Sequence, residues 1–327
     1  MLQQTQVKTV IPYFLNWLNV FPTIKDLAAS PIDKVLKAWE GLGYYRRARN
    51  LHEAAKIISQ EHDGIFPKNF DDILALPGIG PYTAGAVASL AFGQAKPIVD
   101  GNVERVLARV FAFDKPIDTG ESKKWFWKKA AVLVEEGVRE HVDPGALNES
   151  LMELGAIVCT PAMPDCPTCP LKKKCLAKKR GLAGKLPLSG KKVRIQKIFM
   201  AAGVLRQSTG SKIAPYFIRK KEVGEWSGGL WEFPTIRFLP EERPEKILEK
   251  YFLSEWKLKV RANAQIASLT HTVTHHRISL FVFSLELADA KTLIQKTPTT
   301  RWLDLKGLNK IAFPAAQKKI LSSLPTA

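Results

Sequence analysis

Cys159, Cys166, Cys169 and Cys175 are the four cysteines of this 327-residue chain, and they follow one another as C-x6-C-x2-C-x5-C. Two disulfides would satisfy the arithmetic, but a cytosolic setting argues against them. Structural zinc usually takes two separated Cys-Cys or Cys-His pairs, and here only Cys166 and Cys169 are so paired. Four closely spaced thiolates with a proline after one of them, Cys169-Pro170, suit a 4Fe–4S cluster better than zinc. A second candidate is Asp100. It follows Ile98-Val99 and precedes Gly101-Asn102-Val103-Glu104-Arg105, which opens a helix. Its carboxylate therefore belongs at or beside a helix N-terminus, where negative charge is favoured. Taken alone, such a residue is an N-cap.

The stretch 71–110 positions that carboxylate, and it reads as helix, tight turn, helix, loop, helix. Asp71–Leu76 is short and apolar on one side. Pro77-Gly78-Ile79-Gly80-Pro81 cannot continue a helix, because proline lacks a donor and glycine admits positive φ. Tyr82–Phe92 resumes with Ala84, Gly85, Ala86 and Ala88, a small-residue face that permits close approach. The turn presents backbone N–H groups at a helix start, a ready site for one nucleic-acid phosphate.

Composition agrees with such a partner. The chain carries 49 basic and 31 acidic residues, a net charge of +18, which predicts affinity for a polyanion. Its length suggests two domains, and a hydrophobic fraction of 46% allows a sizeable core in each. No run of 18 apolar residues exists, so no helical membrane span is expected. No signal peptide is recognisable, and the expected location is the cytoplasm, with the nucleoid if the ligand is DNA.

Residues 1–19 show helical periodicity, already under way at Leu2, and residues 31–40 form another apolar-faced helix. Residues 41–50, GLGYYRRARN, suit a loop that meets nucleic acid, with tyrosines for stacking and arginines for phosphate; an ordinary helix-linking turn explains them equally well. A helix over 51–60, a long helix over 121–141 with Trp125 and Trp127 in the core, and a helix from Asn148 to Ala156 complete the first part. The Lys- and Gly-rich segment after Cys175 reads as a linker. Beyond it the pattern turns strand-like at Ile198–Leu205, Ile213–Ile218, Gln265–Thr272 and His276–Leu287, with helices at Glu245–Trp256 and about Ala315–Ser323. The expectation is an all-α domain over 1–178, a linker over 179–194 and an α+β domain over 195–327.

Several motifs in order resemble one family. LPGIG at Leu76–Gly80, followed about twenty residues later by Asp100, is similar to the helix-hairpin-helix glycosylase superfamily. The cysteine spacing resembles the cluster loop, here 159–175, of its endonuclease III and MutY branch. GLWEFP resembles the Nudix-like C-terminal domain of MutY proteins, and no R-E-x-x-E-E follows Gly229, so pyrophosphate hydrolysis is not expected. HTVTHH at 271–276 resembles that domain's loop for 8-oxoguanine, often Phe-Ser-His, here Val273-Thr274-His275. With LQQTQV, GLGYYRRARN and DGNV, the resemblance to MutY-type adenine DNA glycosylases covers residues 1–323.

The resemblance implies a monomer that removes adenine paired with 8-oxoguanine or guanine in double-stranded DNA, reaching the base by extruding it from the stack. By the same resemblance Gln4, Leu42 and Tyr44 fill or wedge the opened helix. Glu149 lines the adenine pocket with Leu2 and Val7, Gly78 and Gly80 hold the backbone, and Thr274 and His275 meet the opposite base. Asn102 sits near Asp100 at the sugar. A carboxylate there suits glycosidic cleavage, because the departing base leaves positive charge on deoxyribose. Endonuclease III-type lyases carry lysine where this chain has Tyr82, and a phenol forms no imine, so a monofunctional hydrolase is expected. The family's general acid is a Glu two residues ahead of the opening Met-Leu-Gln-Gln, outside the sequence as given. An internal start, or a truncated remnant that binds lesions without excising, are the two readings of that feature, and an endonuclease III-like lyase is the remaining alternative.

Overall fold

The computed structural model describes residues 1–3, 5–190, 195–207, 214–289 and 297–324. Helices α1–α4 span Val7–Val20, Ile24–Ala29, Ile32–Ala38 and Arg46–Glu61. Helices α5–α9 span Phe70–Ala75, Pro81–Phe92, Gly101–Val110, Gly120–Arg139 and Pro144–Glu153, the last running into a π-turn at Leu154–Val158; α10 is Leu176–Lys179. Strands β1–β4 are Gln196–Leu205, Tyr216–Lys220, Trp231–Glu232 and Thr235–Phe238. Then come α11 at Pro244–Trp256, β5–β7 at Val260–Val273, His276–Leu287 and Thr300–Leu303, α12 at Leu305–Asn309 and α13 at Ala315–Ser322. The chain divides into two compact units, Met1–Ser59 with Val193–Ala327, and Gln60–Lys192, so the first unit takes residues from both ends.

In the first unit, α1, α3 and the start of α4 bury Trp17, Phe21, Leu36 and Trp39 in one core, which also takes Leu230 and Ala312. The strand-like segments form a four-stranded sheet, β4-β1-β6-β5, and a three-stranded sheet, β3-β2-β7. β1 and β6 run parallel, while β5 and β6 form a long antiparallel hairpin from Val260↔Leu287 to Val273↔His276. Phe217, Leu248, Phe252 and Phe283 pack α11 onto the sheets, and Phe233, Phe313 and Ile320 pack α13. Each such side chain removed from water contributes about 1.5–3 kcal/mol.

Helix α1 starts at Val7 rather than at the first residue. The carbonyls of Met1 and Gln3 accept from Arg47 Nη1 instead of from amides four residues on, which holds the leading segment out of the helix. The helix expected at 51–60 begins earlier, at Arg46, so the loop ends at Tyr45.

In the second unit, α7 is buried through Val103, Val106 and Leu107 against Phe126 and Ala130 of α8 and Leu151 of α9. The hairpin between α5 and α6 forms as its punctuation predicts. Asn69 Oδ1 caps α5, accepting from Asp71 N at 2.8 Å. Gly78 takes φ +80°, which only glycine adopts freely, and Gly80 is the N-cap ahead of Pro81.

Candidate active site and cysteine cavity

Two glycines bring the elements around Asp100 together. A Cβ on Gly85 would stand 2.2 Å from the Pro97 carbonyl oxygen, so the small face of α6 receives the extended segment that leads into Asp100. Buried Asn148 of α9 fastens the same segment, donating from Nδ2 to Lys96 O at 2.8 Å and to Ser89 Oγ at 2.9 Å. Gly155, in the π-turn, lies against Asn102, where a Cβ would meet Asn102 Cβ at 2.6 Å.

Asp100 is the N-cap of α7. Its Oδ1 accepts from Val103 N at 2.8 Å, and its Oδ2 accepts from Asn102 Nδ2 at 3.1 Å. Both oxygens are thus aimed by hydrogen bonds, at a helix end whose dipole favours negative charge. Asn102 is oriented in turn, because its Oδ1 accepts from Arg105 Nη2 at 2.8 Å. Tyr82 is half-buried, with its hydroxyl 3.6 Å from Met152 Sδ. Burial, and secondarily the Asp100 charge, raises its pKa, so the phenol keeps its proton and remains a neutral donor. The structure therefore gathers Asp100, Asn102 and Tyr82. Glu149 lies exposed on α9, and Gly78 and Gly80 lie in the hairpin.

The other residues named from the sequence belong to the first unit. Leu2, Val7 and Tyr44 are exposed, Tyr44 with φ +48° and the Arg47 guanidinium 5.5 Å from its ring centre. Leu42 is 6% exposed and packs in the core with Trp39 and Tyr45. Gln4 lies outside the described residues. Of the three arginines expected to meet phosphate, Arg47 donates to the carbonyls of Met1, Gln3, Leu42 and Gly43, and Arg49 donates to that of Gly228. Their polar ends are committed inside the unit, which leaves Arg46 as the exposed one. Thr274 and His275 form the tip of the β5–β6 hairpin; Thr274 takes φ +52° and donates from Oγ1 to Val273 O at 2.7 Å.

Cys159, Cys166, Cys169 and Cys175 all line one cavity, beside Arg109, Lys172 and Lys178. Burial raises the Cys166 thiol pKa, the three other cysteines raise it further, and Lys178 opposes them. The three other sulfurs therefore lie within electrostatic reach of Cys166. All four are unpaired by disulfides. Among the described residues, no three His, Cys, Asp or Glu side chains are gathered tightly enough to hold one metal ion. Donors already aim at the sulfurs: Arg109 Nη1 lies 3.2 Å from Cys159 Sγ and Lys178 N lies 3.5 Å from Cys175 Sγ.

Arg105 and Arg109 carry no motif of their own, and nothing in the local sequence marks either as part of a site. Arg105 is 9% exposed and Arg109 2% exposed. Their only signal is their position, two cations one turn apart on an otherwise buried face of α7. Arg105 Nε donates to Cys159 O at 2.8 Å, and Arg109 donates to the carbonyls of Cys159, Thr160, Pro161 and Leu186.

Comparison with known proteins gives two family matches. The model for HhH-GPD superfamily base excision DNA repair proteins matches residues 1–131, and a NUDIX domain model matches residues 201–323. An adenine DNA glycosylase of Buchnera aphidicola subsp. Schizaphis graminum is 34% identical over 328 residues, covering 98% of this chain and 88% of that protein. The human adenine DNA glycosylase is 32% identical over 376 residues, covering 98% of this chain and 66% of that protein. Among solved structures, a thermostable thymine-DNA glycosylase aligns with a TM-score of 0.47 at 30% identity, over 55% of this chain and 80% of that one.

Proposed function

This chain belongs to the adenine DNA glycosylase family, a group of DNA N-glycosylases acting in base excision repair, and on that premise we propose that it excises adenine mispaired with 8-oxoguanine or guanine in duplex DNA. The observation that carries the reading is the Asp100 carboxylate, held at the α7 N-terminus with Asn102 on one oxygen and Tyr82 within range of its charge.

Hydrolysis breaks the bond from C1′ to N9 of adenine, forms one from C1′ to a water oxygen, and delivers a proton to the departing base. Positive charge grows on the sugar as the base leaves. A carboxylate aimed in advance stabilises that charge without reorganising during the step. The neutral phenol of Tyr82 donates a hydrogen bond but forms no imine, so the product is an intact abasic site. Thr274 and His275, at the hairpin tip, meet the base opposite the target. The excess of basic residues binds phosphate, and affinity should fall by roughly 0.9 log units per log unit of salt for each phosphate contacted.

The cysteine cavity fits a 4Fe–4S cluster. Four thiols lining one cavity, with an arginine and a backbone N–H aimed at two of the sulfurs, suit a polynuclear thiolate-bound group. Cys159, Cys166, Cys169 and Cys175 would hold it, and bound there it supplies thiolate cross-links that fix the loop.

Single-turnover assays on adenine·8-oxoguanine, adenine·guanine and adenine·thymine duplexes test the reading. Free adenine from the first two and none from the third is expected, with no protein–DNA adduct on borohydride treatment. Borohydride trapping would instead indicate lyase chemistry.

A further inference from the structure

The hairpin tip has a brace that the site described above does not include. β5 and β6 run out to Val273↔His276, β1 pairs beside β6 up to Gln196↔His276, and Gln196 N donates to His275 O at 2.9 Å, so the backbone of the tip is tied to β1 as well as to its own strands. Backbone pairing fixes the chain at the tip but not the rings of its side chains, whose rotamers depend on what packs against them. Here the rings of His275 and His276 lie 3.9 Å apart. The His276 ring meets Trp226 with centres 4.9 Å apart. Trp226 comes from the Val223–Gly229 segment, before β3, and is 37% exposed. Arg237, on β4 at the far edge of the same sheet, lays its guanidinium 4.7 Å from the Trp226 ring centre. Arg237, Trp226, His276 and His275 thus form one continuous run of ring contacts, with the Trp226–His276 and His275–His276 planes tilted by 54° and 39°, leading to the tip. His276 Nδ1 is buried without a hydrogen-bond partner among the described residues, so its contacts with the two neighbouring rings are what orient that imidazole.

We propose that Trp226, clamped by Arg237, is a positioning residue that fixes His275 at the hairpin tip and thereby sets discrimination of the base opposite the target. The inference rests on the reading that Thr274 and His275 meet that base. Trp226 does not itself touch the base; it acts through His276. Removing the indole leaves the tip's backbone bonds in place but takes the packing from His276 and, through it, from His275, which costs selectivity rather than general affinity for DNA.

The test is equilibrium binding of the full chain to two duplexes, each carrying an excision-resistant 2′-fluoro-deoxyadenosine, one opposite 8-oxoguanine and one opposite guanine. The quantity read is the ratio of the two dissociation constants. Trp226→Ala should lower the preference for 8-oxoguanine roughly 3- to 10-fold, the size of one aromatic contact, while affinity for the guanine duplex stays within twofold. Trp226→Phe should restore most of the preference, because it keeps a ring against His276. Arg237→Ala should lower it in the same direction. Thr274→Ala and His275→Ala serve as the reference. If they erode the preference and Trp226→Ala does not, the positioning role is overturned while the reading of the tip stands. Equal weakening on both duplexes in Trp226→Ala would also overturn it, as a merely structural effect. Should none of the variants change the ratio, the assignment of the tip fails and this inference with it.

Discussion

Arg105 Nη2 donates to Asn102 Oδ1 at 2.8 Å, and through Asn102 the arginine reaches the Asp100 carboxylate. The same guanidinium donates through Nε to Cys159 O at 2.8 Å and through Nη2 to Gly155 O at 2.6 Å. One buried side chain thus spans the Asp100–Asn102 pair, the π-turn and the first cysteine of the cavity. Orientation of Asp100 and order in the cysteine loop are coupled by this geometry.

Arg105→Lys should expose that coupling. Lysine keeps the charge but cannot donate in three directions from a planar fork. Stability should fall by about 2–4 kcal/mol, since buried carbonyls and the Asn102 amide lose charged donors. Denaturant unfolding measures the loss, and the iron content of the purified variant shows whether the loop loosens with it.

Asp100→Asn separates the cap from the charge. Asparagine caps a helix as well as aspartate does, so α7 and the fold should persist. The charge that stabilises the sugar disappears, and excision should slow by at least about 10²-fold, the scale of a preorganised electrostatic group. Rates under single turnover, beside binding to the same duplex, check this; a variant that binds normally and excises at the original rate would remove Asp100 from the mechanism.

Cys169→Ser should reduce iron and sulfide in the purified protein and loosen the loop from Cys159 to Cys175. Proteolysis confined to that loop is the accompanying readout. Brown protein containing about four irons per chain is expected of the unaltered sequence, and one zinc without iron would overturn the cluster.

His271 gives stability a pH dependence. Burial, with Lys319 adding to it, lowers its pKa below the ordinary 6.5. As pH falls from 6.5 towards the lowered folded value, the unfolded chain takes up a proton that the folded chain refuses, so stability falls. Above that window both states are neutral and the contribution is flat. Thermal unfolding should therefore occur at lower temperature near pH 5 than near pH 7, and His271→Gln should reduce the difference.

The motifs were legible because they are local. LPGIG must break a helix and expose amides, since proline lacks a donor and Gly78 needs positive φ. Asp100 before a helical run must cap it, and it does. Four cysteines within one loop could be grouped by counting, and the shift from helical to alternating periodicity marked the α+β segment. These features depend on neighbours within a few residues along the chain.

What only the tertiary structure decided are the contacts across sequence. Residues 1–5 have helical spacing, yet Arg47 takes two of their carbonyls, and a contact over more than forty positions outweighs one turn's propensity. Leu42 sits in a loop-like sequence, yet it is buried with Trp39 and Tyr45. Arg105 and Arg109 look like ordinary surface charges until the cysteine loop folds over α7 and its carbonyls need donors. Trp226, from the segment before β3, meets Arg237 of β4 and His276 of β6, two strands brought into one sheet by pairing with β1. In each case burial and a distant hydrogen-bonding or stacking partner assign the role, and neither is written in the local pattern.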